Sequence, residues 1–144
     1  MKKANKMVIQ LDNNTEIERL LAILNIGLCV ALEQGALSIE AAERYLYTPY
    51  TLGKLEQLGI SSQLLHIVHL GTELEDVESL LPEKLAESLA EIKQASLDIL
   101  KILPVNESGQ KWVQTKTNTA QVEAPTNGIP IQTQPTKVYA TSKS

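Results

Sequence analysis

The sequence predicts an all-α fold, a compact and irregular bundle of about five to six helices. A candidate short strand precedes this bundle and a disordered polar tail follows it. All 22 leucines lie between Leu11 and Leu103, where apolar residues recur at helical spacing. Residues typical of helix starts and stops divide this stretch into short segments. Four of the six prolines lie beyond it, where apolar residues are scattered. The chain has 144 residues, which suffices for one compact domain.

The first helix is predicted from about Glu16 to Gln34. Thr15 and Glu18 have the spacing of a capping box, in which each side chain accepts a hydrogen bond from a free backbone N–H of the first turn. Gly35 then ends the helix, because glycine readily adopts the left-handed conformation there. The second helix is predicted from Ser38 to about Leu46, and the third from Pro49 to Gly59. The fourth begins at Ser61 or Ser62, runs through Leu70 and stops at Gly71. A second capping box, Thr72 and Glu75, starts a brief fifth helix, and Pro82 starts the last, which runs to about Leu103. Such short connections favour an irregular bundle.

Both ends of the chain are predicted to lie outside the bundle. Val8, Ile9 and Leu11 could form a short strand or an extended arm, but no later segment offers an obvious pairing partner. The last forty residues are rich in Gln, Thr, Asn, Ser and Lys, and cannot bury enough apolar surface to offset the entropy of ordering. We therefore expect an N-terminal arm at 1–14, a helical domain at 15–103 and a disordered polar tail at 104–144.

The composition argues against several functional classes. The net charge is −4, and residues 1–103 carry 15 acidic against 9 basic side chains, which disfavours a nucleic-acid binder. One Cys excludes a disulfide framework and fits a reducing compartment. The longest apolar run, Leu20 to Leu32, is shorter than the roughly 20 residues of a membrane helix and indicates a buried core helix. No phosphate-binding or dinucleotide-binding motif is present. We expect a cytoplasmic protein without a cofactor that binds neither nucleic acid nor membranes.

The acidic residues between positions 72 and 92 form the first candidate site. They are Glu73, Glu75, Asp76, Glu78, Glu83, Glu87 and Glu91, and Lys84 is the only basic residue among them. Three interpretations are open: a solvated face, a recognition surface for a basic protein, or paired carboxylates for acid–base chemistry. Negative charge in this density would raise the association rate and specificity for a basic partner.

Three of the four tyrosines, Tyr45, Tyr47 and Tyr50, cluster around Pro49 at a predicted helix junction. Tyrosine is frequent at binding hot spots, because it offers a large contact area at a low cost in entropy. These side chains are therefore candidate anchors for a partner. Alternatively, they wedge the helix junction together with their hydroxyl groups at the surface.

His66 and His69 are the only histidines, and their spacing places both on one helical face with Glu73 a turn further on. Two histidines and one carboxylate can bind a transition metal, although no other residue completes the ligand set. We favour no metal here, and interpret the histidines as interfacial or capping residues near a helix C-terminus. Cys29 is interpreted as a buried apolar filler and not as a nucleophile.

The run from Leu70 to Leu85, together with Tyr47-Thr48-Pro49-Tyr50, resembles small uncharacterised bacterial helical proteins of the domain-of-unknown-function type. The resemblance covers residues 8–103 and implies no active site. Proteins of this size and acidity are similar in kind to immunity proteins, which neutralise a toxin by binding it.

The leading hypothesis is a non-enzymatic, acidic protein-binding module, an immunity-type inhibitor that covers a basic site on a bacterial toxin or effector. The residues predicted to contact the partner are Glu73, Glu75, Asp76, Glu78, Glu83 and Glu87 for electrostatic attraction, and Tyr45, Tyr47 and Tyr50 as anchors. Two alternatives remain at this point. One is a regulatory or adaptor protein that binds a partner through its tail, and the other is a small metal-dependent enzyme using His66, His69 and Glu73.

Overall fold

The computed structural model describes residues 5–105 and 109–117, and this part of the chain is mostly helical. Its elements are β1 (Asn5–Ile9), α1 (Asn14–Glu33), α2 (Ile39–Tyr45), α3 (Pro49–Gln57), α4 (Ser62–Thr72), α5 (Leu74–Leu80), a single 3₁₀ turn (Pro82–Lys84), α6 (Leu85–Ile102) and β2 (Val113–Thr117). They form two compact units. Residues 11–109 contain the helices, and the second unit consists of the segments before and after them.

Several helix ends lie where the sequence predicts them. The side chain of Ser38 accepts a hydrogen bond from the backbone N–H of Ala41 and caps α2. Thr48 caps α3 in the same way, and Pro49 is the first residue of that helix. Gly35 has a backbone φ of 73°, the left-handed conformation expected just beyond the end of α1.

The predicted cap of α1 is wrong by two residues. Asn13, not Thr15, caps this helix, because its side-chain oxygen accepts a hydrogen bond of 2.9 Å from the backbone N–H of Glu16. The last helix also starts differently. Pro82 opens the 3₁₀ turn, and the α-helix itself begins at Leu85.

The predicted stop at Gly71 and the predicted cap at Thr72 are both wrong. Gly71 lies inside α4 and is buried against the ring of Tyr47, so its small size serves close packing and not chain reversal. Thr72 is the last residue of α4, and its hydroxyl donates to the carbonyl of His69 at 2.6 Å. The next helix, α5, begins without a side-chain cap.

The core of the helical unit forms where α1 packs against α6 and both contact α4. Helices α1 and α6 run antiparallel, since Arg19 near the start of α1 donates to the carbonyl of Leu103 and Glu33 at its end pairs with Lys93. The fully buried side chains include Tyr47, Leu64, Leu74, Ile92, Val68, Asn25, Cys29 and Ser96. One side of α1 lies at the surface, contrary to the prediction of a buried core helix, and it carries Ile23, Leu24 and Val30.

Two short strands correct the all-α prediction. Strand β1 pairs antiparallel with β2, with Asn5 opposite Thr117 and Ile9 opposite Val113. The N-terminal strand therefore has a partner, and the predicted disorder of the tail is wrong for residues 113–117. These residues include two threonines and a valine, which favour strands. The predicted disorder of residues 106–108 and 118–144 concerns positions outside the described residues.

Candidate functional site

A cleft of about 620 Å³ opens at the end of the helical unit where α2 and α5 meet α1 and α6. The apolar residues of its lining are Leu32, Leu37, Ile39, Leu85 and Leu89. The polar residues are Ser38, Glu40, Glu43, Glu75 and Glu78, and Gly35 completes the lining. We call this feature the acidic cleft. It combines apolar side chains with four glutamates, and no basic side chain belongs to its described lining.

Two short helices place the four carboxylates. Glu40 and Glu43 are three residues apart on α2, and Glu75 and Glu78 have the same spacing on α5. Residues at this spacing share one face of a helix, so each helix presents a pair of carboxylates to the cleft. Ser38 fixes the start of α2 through its capping hydrogen bond, which sets the direction of that pair.

Glu43 lies among other carboxylates, which disfavour its own negative charge. Burial raises the pKa of the Glu43 carboxyl above its ordinary value of 4.5, and repulsion from and hydrogen bonding with Glu75 raise it further. Glu40 and Asp76 act in the same direction. Crowded carboxylates of this kind attract a cation, because a positive charge between them relieves their mutual repulsion. They can also retain a proton more readily than an isolated glutamate.

Lys84 and Lys93 pair with glutamates outside the acidic cleft. Arg44, which directly follows Glu43 in the sequence, is exposed and is not among the residues that line the cleft. Lys84 lies 3.6 Å from a carboxylate oxygen of Glu87, and Lys93 lies 2.7 Å from one of Glu33. Neither lysine lines the acidic cleft. Its negative charge is therefore directed toward solvent, where it can act on another molecule.

The predicted acidic site divides into separate places in the structure. Glu75 and Glu78 line the acidic cleft, whereas Glu73 and Asp76 border a different depression on the other side of α5. Glu83 lies exposed on the 3₁₀ turn, and Glu87 pairs with Lys84.

Sequence reasoning missed Glu40 and Glu43. Their spacing of three residues just after the Ser38 cap was the available signal. Two glutamates form a weaker signal in the sequence than the seven acidic residues between positions 72 and 92.

The structure removes Tyr47 from the predicted anchors. Its side chain is only 2% exposed, and its hydroxyl donates to Oδ1 of Asn25 at 2.7 Å. Burial raises the pKa of Tyr47, so the hydroxyl remains a donor. Tyr45 and Tyr50 are 64% and 73% exposed, and they remain available to a partner although neither lines the acidic cleft. The ammonium of Lys54 lies 5.3 Å from the centre of the Tyr50 ring.

The candidate metal ligands are not assembled. Nε2 of His69 lies 3.3 Å from a carboxylate oxygen of Glu73, while His66 lines a separate groove of about 270 Å³ beside Asp98. In residues 5–105 and 109–117, no three His, Cys, Asp or Glu side chains are arranged to hold a metal ion. Cys29 is fully buried, and burial raises the pKa of its thiol to about 11, which keeps it protonated and unreactive at neutral pH.

Comparison with known protein families gives a match. The family model described as "Protein of unknown function (DUF3969)" matches residues 12–114, which is most of the chain. The match includes the whole helical bundle and reaches into β2, beyond the limit of residue 103 that the sequence motifs gave. No curated protein and no solved structure matches the chain. Among the described residues, no helix has the length and apolar character needed to cross a membrane.

Proposed function

We propose that this protein, which belongs to the DUF3969 family, is a non-enzymatic module that binds a basic protein through its acidic cleft. In the more specific form of the proposal, it is an immunity-type inhibitor that acts in the cytoplasm and covers a basic site on a toxin or effector. The observation that supports the proposal best is that four glutamates and five apolar side chains line one cleft, with no basic residue among the described residues that line it.

The acidic charge of the helical unit should increase the rate of association with a basic partner. Residues 1–103 carry six more acidic than basic side chains, and the cleft gathers four of the acids in one concave place. A concave surface of one sign focuses the electric field and increases the rate at which an oppositely charged protein arrives. Such attraction contributes mainly to speed and specificity, and it weakens as salt is added.

The lining of the acidic cleft determines what it can hold. The stems of lysine and arginine side chains are apolar, and their charged ends seek carboxylates. The leucines that line the cleft can contact the stem while the glutamates of the lining bind the cationic end. The cleft therefore suits a basic side chain that projects from the surface of another protein.

The immunity-type role follows from the way such a module would act. A protein that covers a basic site on its target needs complementary shape and charge, and it needs no reactive group of its own. Catalytic sites that bind phosphate or nucleic acid are commonly basic, so an acidic cover competes directly with their substrates.

The proposal is tested by capture from the native cell with three forms of the full-length protein. These are the wild type, a cleft variant (Glu75→Lys with Glu78→Lys) and a control variant (Glu56→Lys with Glu91→Lys). All four glutamates are exposed, and both variants change the net charge by the same amount. The captured proteins are identified by mass spectrometry.

The proposal expects a basic protein that is retained by the wild type and the control, lost from the cleft variant, and released by salt. For the immunity-type role, the captured protein alone should arrest growth when expressed, and co-expression of the wild type should restore it. Equal capture by all three forms would exclude the cleft as the binding site. A partner lost only on deletion of residues 118–144 would instead favour a regulatory module that binds through its tail.

A further inference from the structure

Helix α5 carries a second surface that the acidic cleft does not use. On the side away from the cleft, a depression of about 200 Å³ is lined by Val77, Leu80 and Leu81, with Glu73 and Asp76 at its border. We call it the leucine depression. Leu80 is 74% exposed and Leu81 51% exposed. Exposed leucines grouped in a concavity are typical of surfaces that bind another protein.

The burial of α5 supports a role outside the core. Of its seven residues, Leu74 alone is fully buried, and Val77 is half-buried. A helix this short is unstable in isolation and is held by its tertiary contacts. Leu80 adds little to those contacts, because most of its surface is exposed to solvent. Its apolar surface is thus left for an external ligand.

We propose that the leucine depression binds the apolar side of an amphipathic basic segment whose cationic side chains enter the acidic cleft. The inference rests on the proposed function, because it describes the partner of the same site. The two surfaces lie on opposite flanks of α5, so a segment that crosses this helix reaches both. Both surfaces carry negative charge, from Glu73 and Asp76 in the depression and from Glu75 and Glu78 in the cleft. A segment that bears lysine or arginine beside its apolar residues is therefore complementary to both.

The test uses defined peptides as probes and the full-length, ¹⁵N-labelled protein observed by NMR titration. The first peptide is an amphipathic helix of leucine and lysine, about five turns long. The second has the same composition in a scrambled order, and the third is an oligolysine with the same number of lysines. The protein variants are Leu80→Ser with Leu81→Ser, the control Leu58→Ser, and the cleft variant Glu75→Lys with Glu78→Lys. Leu58 is as exposed as Leu81 but lies at the end of α3.

The inference expects the amphipathic peptide to bind the wild type roughly tenfold more tightly than the scrambled one, which is the effect of burying about one leucine. The change at Leu80 and Leu81 should remove this advantage and leave oligolysine binding unchanged, while Leu58→Ser should alter neither. Chemical shift changes should include residues of both surfaces.

Three results would overturn the inference. The first is equal affinity for the amphipathic and scrambled peptides, or no binding of either. The second is an unchanged advantage in the Leu80 and Leu81 variant. The third is self-association of the wild type that this variant abolishes, since the occupant would then be a second copy of the chain. Failure of the proposed function is distinguishable, because it appears as indifference of oligolysine binding to Glu75→Lys with Glu78→Lys.

Discussion

Replacing Gly71 by alanine should destabilise the protein, although alanine is the better helix former. A Cβ at Gly71 would overlap Cδ1 and Cε1 of the Tyr47 ring and lie 2.7 Å from its Cγ. The ring is buried and cannot swing into solvent. Overpacking of this kind costs about 1–3 kcal/mol. If the ring moves to relieve it, the hydrogen bond to Asn25 is lost and the buried amide oxygen loses its donor, at a further cost of about 1–3 kcal/mol.

Alanine returns about 1 kcal/mol through its helix propensity, so the net loss should be about 0–2 kcal/mol if the ring stays in place and about 1–5 kcal/mol if the hydrogen bond is also lost. Gly27→Ala is the matched control, because Gly27 also lies inside a helix and no atom lies within 4 Å of the position that its Cβ would take. This control should raise the stability by up to about 1 kcal/mol. The assay is urea unfolding followed by circular dichroism. If Gly71→Ala proves as stabilising as Gly27→Ala, the close approach of Tyr47 to α4 is refuted.

Three further predictions concern buried or crowded groups. Tyr47→Phe should lower the free energy of unfolding by about 1–3 kcal/mol, because the buried Oδ1 of Asn25 loses its hydrogen-bond donor; thermal unfolding measures this loss. At pH values above the raised pKa of Glu43, Glu43→Gln should increase the free energy of unfolding by at most about 0.5 kcal/mol. This gain should shrink as the pH falls through the raised pKa and vanish below 4.5, where the wild-type carboxyl is protonated in both the folded and the unfolded state; a gain independent of pH would contradict the repulsion from Glu75. Cys29 should react with a thiol reagent only at the rate at which the protein unfolds, and immediate labelling under native conditions would show that it is accessible.

The helices were predictable where their ends depend on local chemistry. Ser38 and Pro49 act on the few residues next to them, and Gly35 satisfies a conformation that few other residues adopt. Gly71 was misinterpreted because its neighbour is Tyr47, which is distant in sequence. A glycine needed for close packing and a glycine that ends a helix look the same in a single sequence.

The paired strands were not predictable for a similar reason. Strand β2 is short, and its partner lies about a hundred residues earlier, so no local turn signal links the two. Its two threonines and valine occur within a polar stretch whose overall composition is typical of disorder.

The candidate site was half predictable. Glu75 and Glu78 were identified because acidic residues are dense around them, whereas Glu40 and Glu43 join them only when the fold brings α2 against α5. The error at Tyr47 has a different origin. This residue lies between two helices, where no helical period assigns its side chain to the inside or the outside.

Electrostatic attraction of a basic partner to the acidic cleft is the basis of the proposed function. Its most direct test is the association rate between the full-length protein and the basic protein that it captures, measured by stopped flow over a range of salt concentrations. The rate for the wild type should fall steeply as salt increases, and Glu75→Lys with Glu78→Lys should slow it roughly tenfold or more at low salt, with the two rates converging at high salt. Glu56→Lys with Glu91→Lys should have a much smaller effect. Equal rates for the cleft variant and the wild type at low salt would show that the cleft does not attract the partner.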